Sequence, residues 1–326
     1  MSTVVELSQG AYLLNGEIGG RALTLTLLKG DIGSILLDTG CDTDAEGLIL
    51  PAMAQIGLAP QDLSFIVTSH CDLDHVGGNH RMKKAAPAAV LCCGDADRDQ
   101  VEAPEALWTQ RYDAYRADHG IGYDDDVKGW IMSELGQSQP VDLTLRGGER
   151  LRLCQDWEVE VIHLPGHSWG HLGLLDRASR TLYGVDAIHG GVIPTLEGEP
   201  AMPPTYMYVD AYLDTIRLIE HLPIDTLVTC HWGVRRGDDI RAFCDESRRF
   251  VEAADRLIRE ALPDAGSGKS LLELCTEIGP KLGDWGEESH RELCFVFRGH
   301  LTRLLTLGQA REVSGDTPLR YLAIKA

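Results

Sequence analysis

Four side chains that can bind a metal ion lie within six consecutive residues of this sequence. They are His70, Asp72, Asp74 and His75, in the segment TSHCDLDHVGG. The preceding residues 63–69 (LSFIVTS) form a short apolar, β-branched run that predicts a buried strand. Gly77 and Gly78 follow, and glycine gives the backbone the freedom to turn sharply and aim these side chains at one point. Because imidazole and carboxylate are natural ligands of zinc, iron and manganese, the cluster predicts a metal site at the end of this strand.

The same pattern, a strand that ends in histidine or aspartate, recurs three more times. A predicted strand at 158–164 leads through a Pro-Gly turn to His167, one at 181–183 precedes Asp186, and one at 227–230 precedes His231. Open α/β folds place ligands and catalytic groups at the carboxyl ends of their strands. A purely structural account does not predict this repetition, which indicates that the three residues serve the same site.

Taken in order, these motifs resemble those of the metallo-β-lactamase superfamily: H-x-[HDE]-x-D-H, a PGH turn, an aspartate after a strand, and a late histidine. The LLDTG segment at residues 36–40 is similar to that family's N-terminal strand motif. The resemblance spans about residues 10–235. It implies an α+β fold, a four-layer αββα sandwich, with the metals at one edge of two packed sheets.

The resemblance also implies a role for each ligand. The first metal ion would be held by His70, Asp72 and His167, and the second by Asp74, His75 and His231, with Asp186 bridging the two. Two ions about 3.5–4 Å apart would share a hydroxide that attacks the substrate, and would stabilise the negative charge that develops. The expected cofactor is therefore two divalent metal ions, zinc before iron or manganese. Asp74 and His171 are the candidate catalytic residues.

Asp72 departs from the commonest pattern of the family. Most of its hydrolases have histidine at this position, and its diiron flavoproteins have glutamate. Aspartate is a harder and shorter donor, so two hypotheses follow. Asp72 biases the first site toward iron or manganese, or it stops short of the metal and binds through water, which weakens that site.

Four further residues near these motifs have open roles. His171 either orients a ligand or contacts substrate, or it is a packed core histidine. His189 lies on a loop that is expected to face the pocket. Asp38 is expected to support the site rather than bind metal, and His163 to be structural.

The elements around these motifs predict one large domain with an insertion and a C-terminal module. Residues 1–262 form the metallo-β-lactamase-fold domain, and residues 263–326 form a helical, winged-helix-like module with two short strands around a Ser314-Gly315 turn. Residues 95–142 carry twelve acidic and four basic side chains with interleaved tryptophan and tyrosine. This insertion is either a helical lid over a pocket or an acidic surface excursion.

The composition limits the classes of partner that the protein is expected to bind. A formal net charge of −20 argues against nucleic acid, because like charges repel at long range. No apolar stretch is long enough for a membrane span, and the N-terminus does not resemble a secretion signal, which predicts a cytoplasmic protein with nine reduced cysteines. The expected partner is a small-molecule substrate, with a homodimer left open.

Three functions compete for this sequence. The leading prediction is a metal-dependent hydrolase that cleaves an ester-like bond of a small molecule: a lactone, thioester, phosphoester or sulfate ester. The second is a diiron-type oxidoreductase, against which stands the lack of a flavodoxin-like domain. The third is a non-catalytic metal-binding relative, against which stands the complete set of seven ligands.

Overall fold

The computed structural model describes residues 3–313 and 317–324, without the side chain of Thr3. Within these residues, two β-sheets pack face to face. The first sheet has its seven strands in chain order: β1 (Thr3–Ser8), β2 (Ala11–Ile18), β3 (Arg21–Lys29), β4 (Ser34–Leu37), β5 (Phe65–Thr68), β6 (Val90–Gly94) and β7 (Leu143–Leu145). Strands β1 to β4 pair antiparallel, and β4 to β7 pair parallel. The strand predictions at 23–28, 34–38 and 63–69 are confirmed to within two residues.

The second sheet has the order β15-β14-β11-β10-β9-β8 in the described part of the chain. Its strands are β8 (Arg150–Arg152), β9 (Glu158–His163), β10 (Leu172–Asp176), β11 (Thr181–Val185), β14 (Thr226–Thr229) and β15 (Val234–Arg236). Strands β12 (Ile193–Pro194) and β13 (Pro200–Met202) form a separate hairpin. Strands β11 and β14 are parallel neighbours, so their carboxyl ends lie at the same edge.

Helices cover the outer faces of both sheets. Those before β7 are α1 (Leu50–Gln55), α2 (Leu73–Val76), α3 (Asn79–Ala85), α4 (Arg98–Glu102), α5 (Pro104–Leu107), α6 (Arg116–His119) and α7 (Asp125–Glu134). π-Helical turns at Ala45–Ile49 and Trp108–Tyr112 and 3-10 turns at Pro60–Asp62 and Asp95–Asp97 extend this set. The later helices are α8 (Val209–His221) and α9 (Asp238–Ala261).

Strands β10 and β11 show why the two sheets and their helices form four layers. Leu174 pairs with Tyr183 and faces the core between the sheets, whereas Leu175 pairs with Leu182 and faces the helices. Successive side chains of a strand point to opposite faces, so a strand that is apolar at every position is buried on both sides. The fold is therefore an αββα sandwich of the metallo-β-lactamase type, as the sequence predicts.

The C-terminal module (residues 263–324 as described) contains two helices and a small sheet. Its elements are β16 (Lys269–Ser270), α10 (Leu271–Leu282), a 3-10 turn (Glu287–Glu292), α11 (Leu293–Thr306), β17 (Ala310–Val313) and β18 (Arg320–Ala323). Ser270 begins α10 with a reciprocal capping box to Glu273. The predicted turn at Ser314-Gly315 lies outside the described residues. The winged-helix-like arrangement and the domain boundary at 262 stay predictions.

The module shares a hydrophobic core with α8, α9 and the second sheet. His300 of α11 is fully buried in this contact. Its Nε2 accepts a hydrogen bond from the hydroxyl of Tyr206 (2.9 Å), and its Nδ1 lies 3.3 Å from a carboxylate oxygen of Asp255 in α9. Burial lowers the pKa of His300 despite the nearby Asp255 carboxylate. The neutral ring therefore ties the module to the domain.

Two general expectations from the sequence can be checked directly. All nine cysteines are free thiols, and Cys92 and Cys93 are buried in β6 as predicted. In the described ranges, none of the helices has the length and apolarity that crossing a membrane requires.

Candidate metal centre

The loop after β5 carries four of the predicted ligands. Strand β5 is paired on both sides, and its carboxyl end leads through Ser69 into the loop before α2. Gly77 (φ −56°) and Gly78 (φ −77°) close this segment in ordinary helical conformations. A Cβ atom at Gly77 would lie 2.1 Å from the carbonyl oxygen of Glu134, and one at Gly78 2.3 Å from that of Thr39. The prediction that they supply conformational freedom is wrong: they let two backbones approach closely.

The other three strand ends meet the first at one edge of the sandwich. His167 lies in the loop between β9 and β10, His231 follows β14, and Asp186 follows β11. Val185, directly before Asp186, has φ +52°, which is a sterically costly conformation for a β-branched residue. Such strain persists where surrounding structure enforces it, often at functional sites.

Asp74, His75, Asp186 and His231 form a tight group of donor atoms. His231 Nε2 lies 3.2 Å from Asp186 Oδ2 and 3.4 Å from Asp74 Oδ2. His75 Nε2 lies 3.6 Å from each of the same two oxygens. Ligand atoms bound tetrahedrally to one zinc ion at about 2.1 Å are about 3.4 Å apart. These four distances therefore fit a single divalent ion held by the group.

Hydrogen bonds behind the histidines turn one ring nitrogen of each toward this group. Asp38 Oδ2 accepts from His75 Nδ1 (2.9 Å) and from the hydroxyl of Ser69 (2.7 Å). Asp38 Oδ1 accepts from Ser69 N (2.6 Å), and His231 Nδ1 donates to the carbonyl oxygen of Ala22 (2.6 Å). In the neutral form of each ring, the lone pair is therefore on Nε2. His70 Nε2 and His75 Nε2 are buried without a hydrogen-bond partner among the described residues, as expected of metal ligands.

The charges in this group favour cation binding. Burial raises the pKa of Asp74, but His75 and His231 outweigh burial and lower the pKa to about 2. Burial and the neighbouring His75 lower the pKa of His70 to about 4, so this imidazole is neutral. Burial also lowers the pKa of His75, but Asp74 and Asp38 outweigh it and raise the pKa well above its ordinary value. A divalent ion would take over the charge balance that a proton on His75 provides and would release that proton.

His70, Asp72 and His167 form the second group, but an arginine shares it. Arg111 pairs with Asp72 through two nitrogens: Nε contacts Oδ1, and Nη2 lies 2.7 Å from Oδ2. Nη2 also lies 3.1 Å from His167 Nε2. Burial raises the pKa of Asp72, but Arg111, the hydrogen bond with His167 and the nearby His70 outweigh it and hold the pKa well below its ordinary value. The carboxylate is therefore ionised and already paired with a cation.

Of the remaining predicted histidines, His189 adjoins the donors, whereas His171 and His163 lie behind or outside the donor groups. His171 is fully buried and stacks on His70 at 4.9 Å between ring centroids, and it does not line the cavity. His189 is also fully buried, 4.7 Å from the ring of His167, and could join His167 and Asp186 as a donor. His163 is half-buried, and its Nε2 lies 2.8 Å from the carbonyl oxygen of Trp169. His171 therefore packs behind the predicted ligand His70 and is not positioned to contact substrate.

A cavity of about 200 Å³ opens onto the two donor groups. Its wall combines the insertion, the β12–β13 hairpin and the C-terminal module, with mostly apolar side chains: Tyr123, Val127, Trp130, Ile131, Ile193, Met202 and Phe295. The hydroxyl of Tyr123 donates to Glu292 Oε2 at 2.7 Å, and the Arg291 guanidinium lies 4.4 Å from the Tyr123 ring. The insertion and the module therefore touch each other at the cavity.

Sequence reasoning missed three residues of this region. Arg111 is one of four basic residues in an acidic insertion, and this scarcity of basic residues was the only sequence signal that pointed to it. Asp97 accepts hydrogen bonds from Gly170 N (2.7 Å) and the hydroxyl of Ser168, and so fixes the loop that carries His167. The Cys230 thiol lies among the donors of the Asp74 group.

The chain matches a known protein family and known structures over most of its length. The sequence profile described as the metallo-beta-lactamase superfamily matches residues 19–231, well over half of the chain. A metallo-beta-lactamase family protein from Thermus thermophilus has a similar structure, with a TM-score of 0.74 and 22% identity, covering 98% of this chain and 100% of the other. This likeness concerns the fold alone.

Two curated relatives carry named activities. A hydroxyacylglutathione hydrolase from a Synechococcus strain is 24% identical over 187 residues, covering 55% of this chain and 54% of that protein. An N-acyl homoserine lactonase from a Bacillus species is 26% identical over 209 residues, covering 55% of this chain and 69% of that protein. The chain thus spans only part of the length of these relatives.

Proposed function

The chain belongs to the metallo-β-lactamase superfamily, and we propose that it is a metal-dependent hydrolase that cleaves an ester-like bond in a small molecule. The bond classes proposed are lactone, thioester, phosphoester and sulfate ester. The observation that carries the proposal is the convergence of Asp74, His75, Asp186 and His231 at the spacing of a single ligand sphere, at the mouth of a cavity.

The chemistry of the donors supports zinc as the metal. Imidazole and carboxylate suit zinc, and a divalent ion held there would lower the pKa of water and polarise the bond to be cleaved. Asp38 keeps the proton of His75 on Nδ1, and Ala22 does the same for His231. Both rings therefore stay fixed during a reaction. A second ion on His70, Asp72 and His167 is the two-metal form of this proposal.

The wall of the cavity supports a neutral substrate with an apolar part. Trp130, Phe295 and Arg21 line the cavity. The two aromatic side chains would contact an acyl or aryl group, and the guanidinium of Arg21 a polar end. Glu292 is engaged by Tyr123. The names of the two relatives, a hydroxyacylglutathione hydrolase and a lactonase, are compatible with such a substrate. A homodimer, exclusion of nucleic acid and a cytoplasmic location stay predictions.

The oxidoreductase alternative gains no support from the geometry. It depended on Asp72 as an anionic iron ligand, and both oxygens of this carboxylate are engaged by Arg111. Only a measurement of hydrolytic activity distinguishes the third alternative, a non-catalytic relative, from the proposal.

The test is a hydrolysis screen of purified protein before and after metal removal. Panels of lactones, thioesters, phosphodiesters and sulfate esters are assayed with the protein as purified, with chelator-treated protein, and after return of zinc. We expect activity on one panel that disappears with the metal and returns with it. His231→Ala should lose more than the roughly 10–100-fold typical of an outer partner. His221→Ala, an exposed histidine of α8, is the matched control. Full activity in chelator-treated protein would contradict the proposal.

A further inference from the structure

Arg111 is a buried cation placed directly on the donors of one metal site. It lies on the π-helical turn Trp108–Tyr112 of the insertion and is 4% exposed. Its guanidinium binds both oxygens of Asp72, one through Nε and the other through Nη2. A bidentate arginine–carboxylate pair is among the strongest and most directional polar contacts in proteins. Asp72 thus has its main acceptor positions filled without a metal.

The same guanidinium engages His167. His167 Nε2 lies 3.1 Å from Arg111 Nη2 and 2.9 Å from Asp72 Oδ2. If this nitrogen carries a lone pair, the lone pair accepts from Arg111; if it carries the proton, it donates to Asp72. In either tautomer the atom that would bind a metal ion is already used. Two of the three donors of the first site are therefore occupied.

Other contacts also hold Arg111 in place, so its buried position is fixed by the surrounding side chains. Its Nη1 lies 3.2 Å from Met207 Sδ, and its guanidinium carbon lies 6.0 Å from the centre of the Phe295 ring. The next residue, Tyr112, accepts a hydrogen bond from Leu73 N at 3.0 Å. The turn is thereby tied to the ligand loop at two successive residues.

Among the predicted ligands, the charges match one ion. Asp72 is paired with Arg111, which leaves the carboxylates of Asp74 and Asp186 for one divalent ion. A second divalent ion would lie beside the buried guanidinium in a region of low dielectric constant, where like charges repel strongly. His70, the third donor of the first site, keeps a free Nε2 close to donor atoms of His75 and Asp186. It can therefore serve the remaining ion.

We propose that Arg111 takes the place of the first metal ion, so that each chain holds one divalent ion, on donors from Asp74, His75, Asp186 and His231, with His70 beside them. Asp72 then serves as the counter-ion of Arg111 rather than as a metal ligand. The inference rests on the metal centre of the proposed function, and it replaces the two-metal form with a single ion and a fixed guanidinium.

The experiment counts metal ions. The protein is saturated with zinc, freed of excess by gel filtration, and analysed by mass spectrometry for metal per chain. We expect one zinc ion in the wild type and two in Arg111→Met, because methionine fills the space without a charge and frees Asp72 and His167. Arg98→Met is the matched control, since Arg98 lies in the same insertion, half exposed and paired with Glu102. It should keep one ion.

A second measurement uses only the wild-type protein, so its result does not depend on whether a variant folds. The wild type is loaded with cobalt(II) and its electron paramagnetic resonance signal is integrated per bound ion. One uncoupled cobalt ion per chain supports the proposal, whereas two neighbouring, spin-coupled ions in the wild type overturn it. Two zinc ions together with hydrolysis overturn this inference and leave the proposed function standing. No bound ion overturns both, and one ion without hydrolysis supports this inference while the proposed function fails.

Discussion

Replacing Asp38 by asparagine should weaken metal binding without removing any of the predicted ligands. Asp38 accepts three hydrogen bonds, from Ser69 N at 2.6 Å, the Ser69 hydroxyl at 2.7 Å and His75 Nδ1 at 2.9 Å. Asparagine keeps one accepting oxygen and turns the other position into a donor. If the oxygen stays on Ser69 N, the amide group faces His75 Nδ1. That ring must then move its proton to Nε2, the atom that faces the metal.

The size of the effect follows from two separate losses. A hydrogen bond to a charged group contributes about 1.5–3 kcal/mol, so metal-free protein should be less stable by roughly that amount. Loss of the partner behind a metal-binding histidine typically weakens metal affinity about 10–100-fold. That corresponds to about 1.4–2.8 kcal/mol. The zinc-loaded protein should therefore lose both contributions, and the metal-free protein only the first.

The assay is zinc competition against a chromophoric chelator, combined with denaturant unfolding in the presence and absence of zinc. Asp176→Asn is the matched control. Asp176 is also a buried carboxylate, which accepts from Trp157 Nε1 at 3.0 Å and from the loop after β10, but it lies away from the metal centre. It should lose stability and keep zinc affinity. Wild-type zinc affinity in Asp38→Asn, or equal loss of affinity in both variants, would refute the tautomer argument.

Three further predictions concern packing and pH. A Cβ at Gly94 would lie 1.8 Å from the carbonyl oxygen of Gly170, so Gly94→Ala should lower the free energy of unfolding by at least the roughly 1–3 kcal/mol of an overpacked core. In the same unfolding assay, Gly129→Ala at an exposed position of α7 should raise it by about 0.5–1 kcal/mol. Burial lowers the pKa of His300, so its contribution to stability is complete above about pH 6.5 and is lost as the pH falls through that lowered pKa. His300→Gln should therefore flatten melting temperature against pH below 6.5, and an unchanged slope would contradict this. Tyr123→Phe, which removes the hydrogen bond to Glu292 Oε2, should speed proteolysis of the insertion; equal cleavage rates would show that the contact is unimportant.

The strand-end ligands were predictable from sequence because each depends on local pattern. An apolar run identifies a buried strand, and the next polar residue lies at its carboxyl end whatever the rest of the chain does. His70, Asp186 and His231 follow this rule, and the structure brings all three to one edge of the sandwich. Their role as metal ligands stays a prediction that metal analysis tests.

Arg111 could not be predicted in the same way. It lies in an insertion of short helical turns with no clear periodicity, and it reaches Asp72, 39 residues earlier, through the tertiary fold. Gly77 illustrates a related limit. The sequence predicts that glycine there supplies backbone freedom, but the fold shows that the close approach of the Glu134 carbonyl is the reason. Long-range contacts of this kind produce no regular residue spacing in the sequence from which they could be predicted.

The C-terminal module supplies Glu292 and Phe295 to the wall of the cavity, and this joins two equilibria that are usually separate. A ligand that touches Phe295 binds only while the module is docked, so ligand at about 100 times its Kd adds about 2.7 kcal/mol to docking. By the same linkage, a substitution deep in the contact between α11 and α9, far from any ligand, weakens ligand binding by the factor by which it lowers the docked fraction. Selection for substrate affinity therefore acts on residues of the module that never meet the substrate.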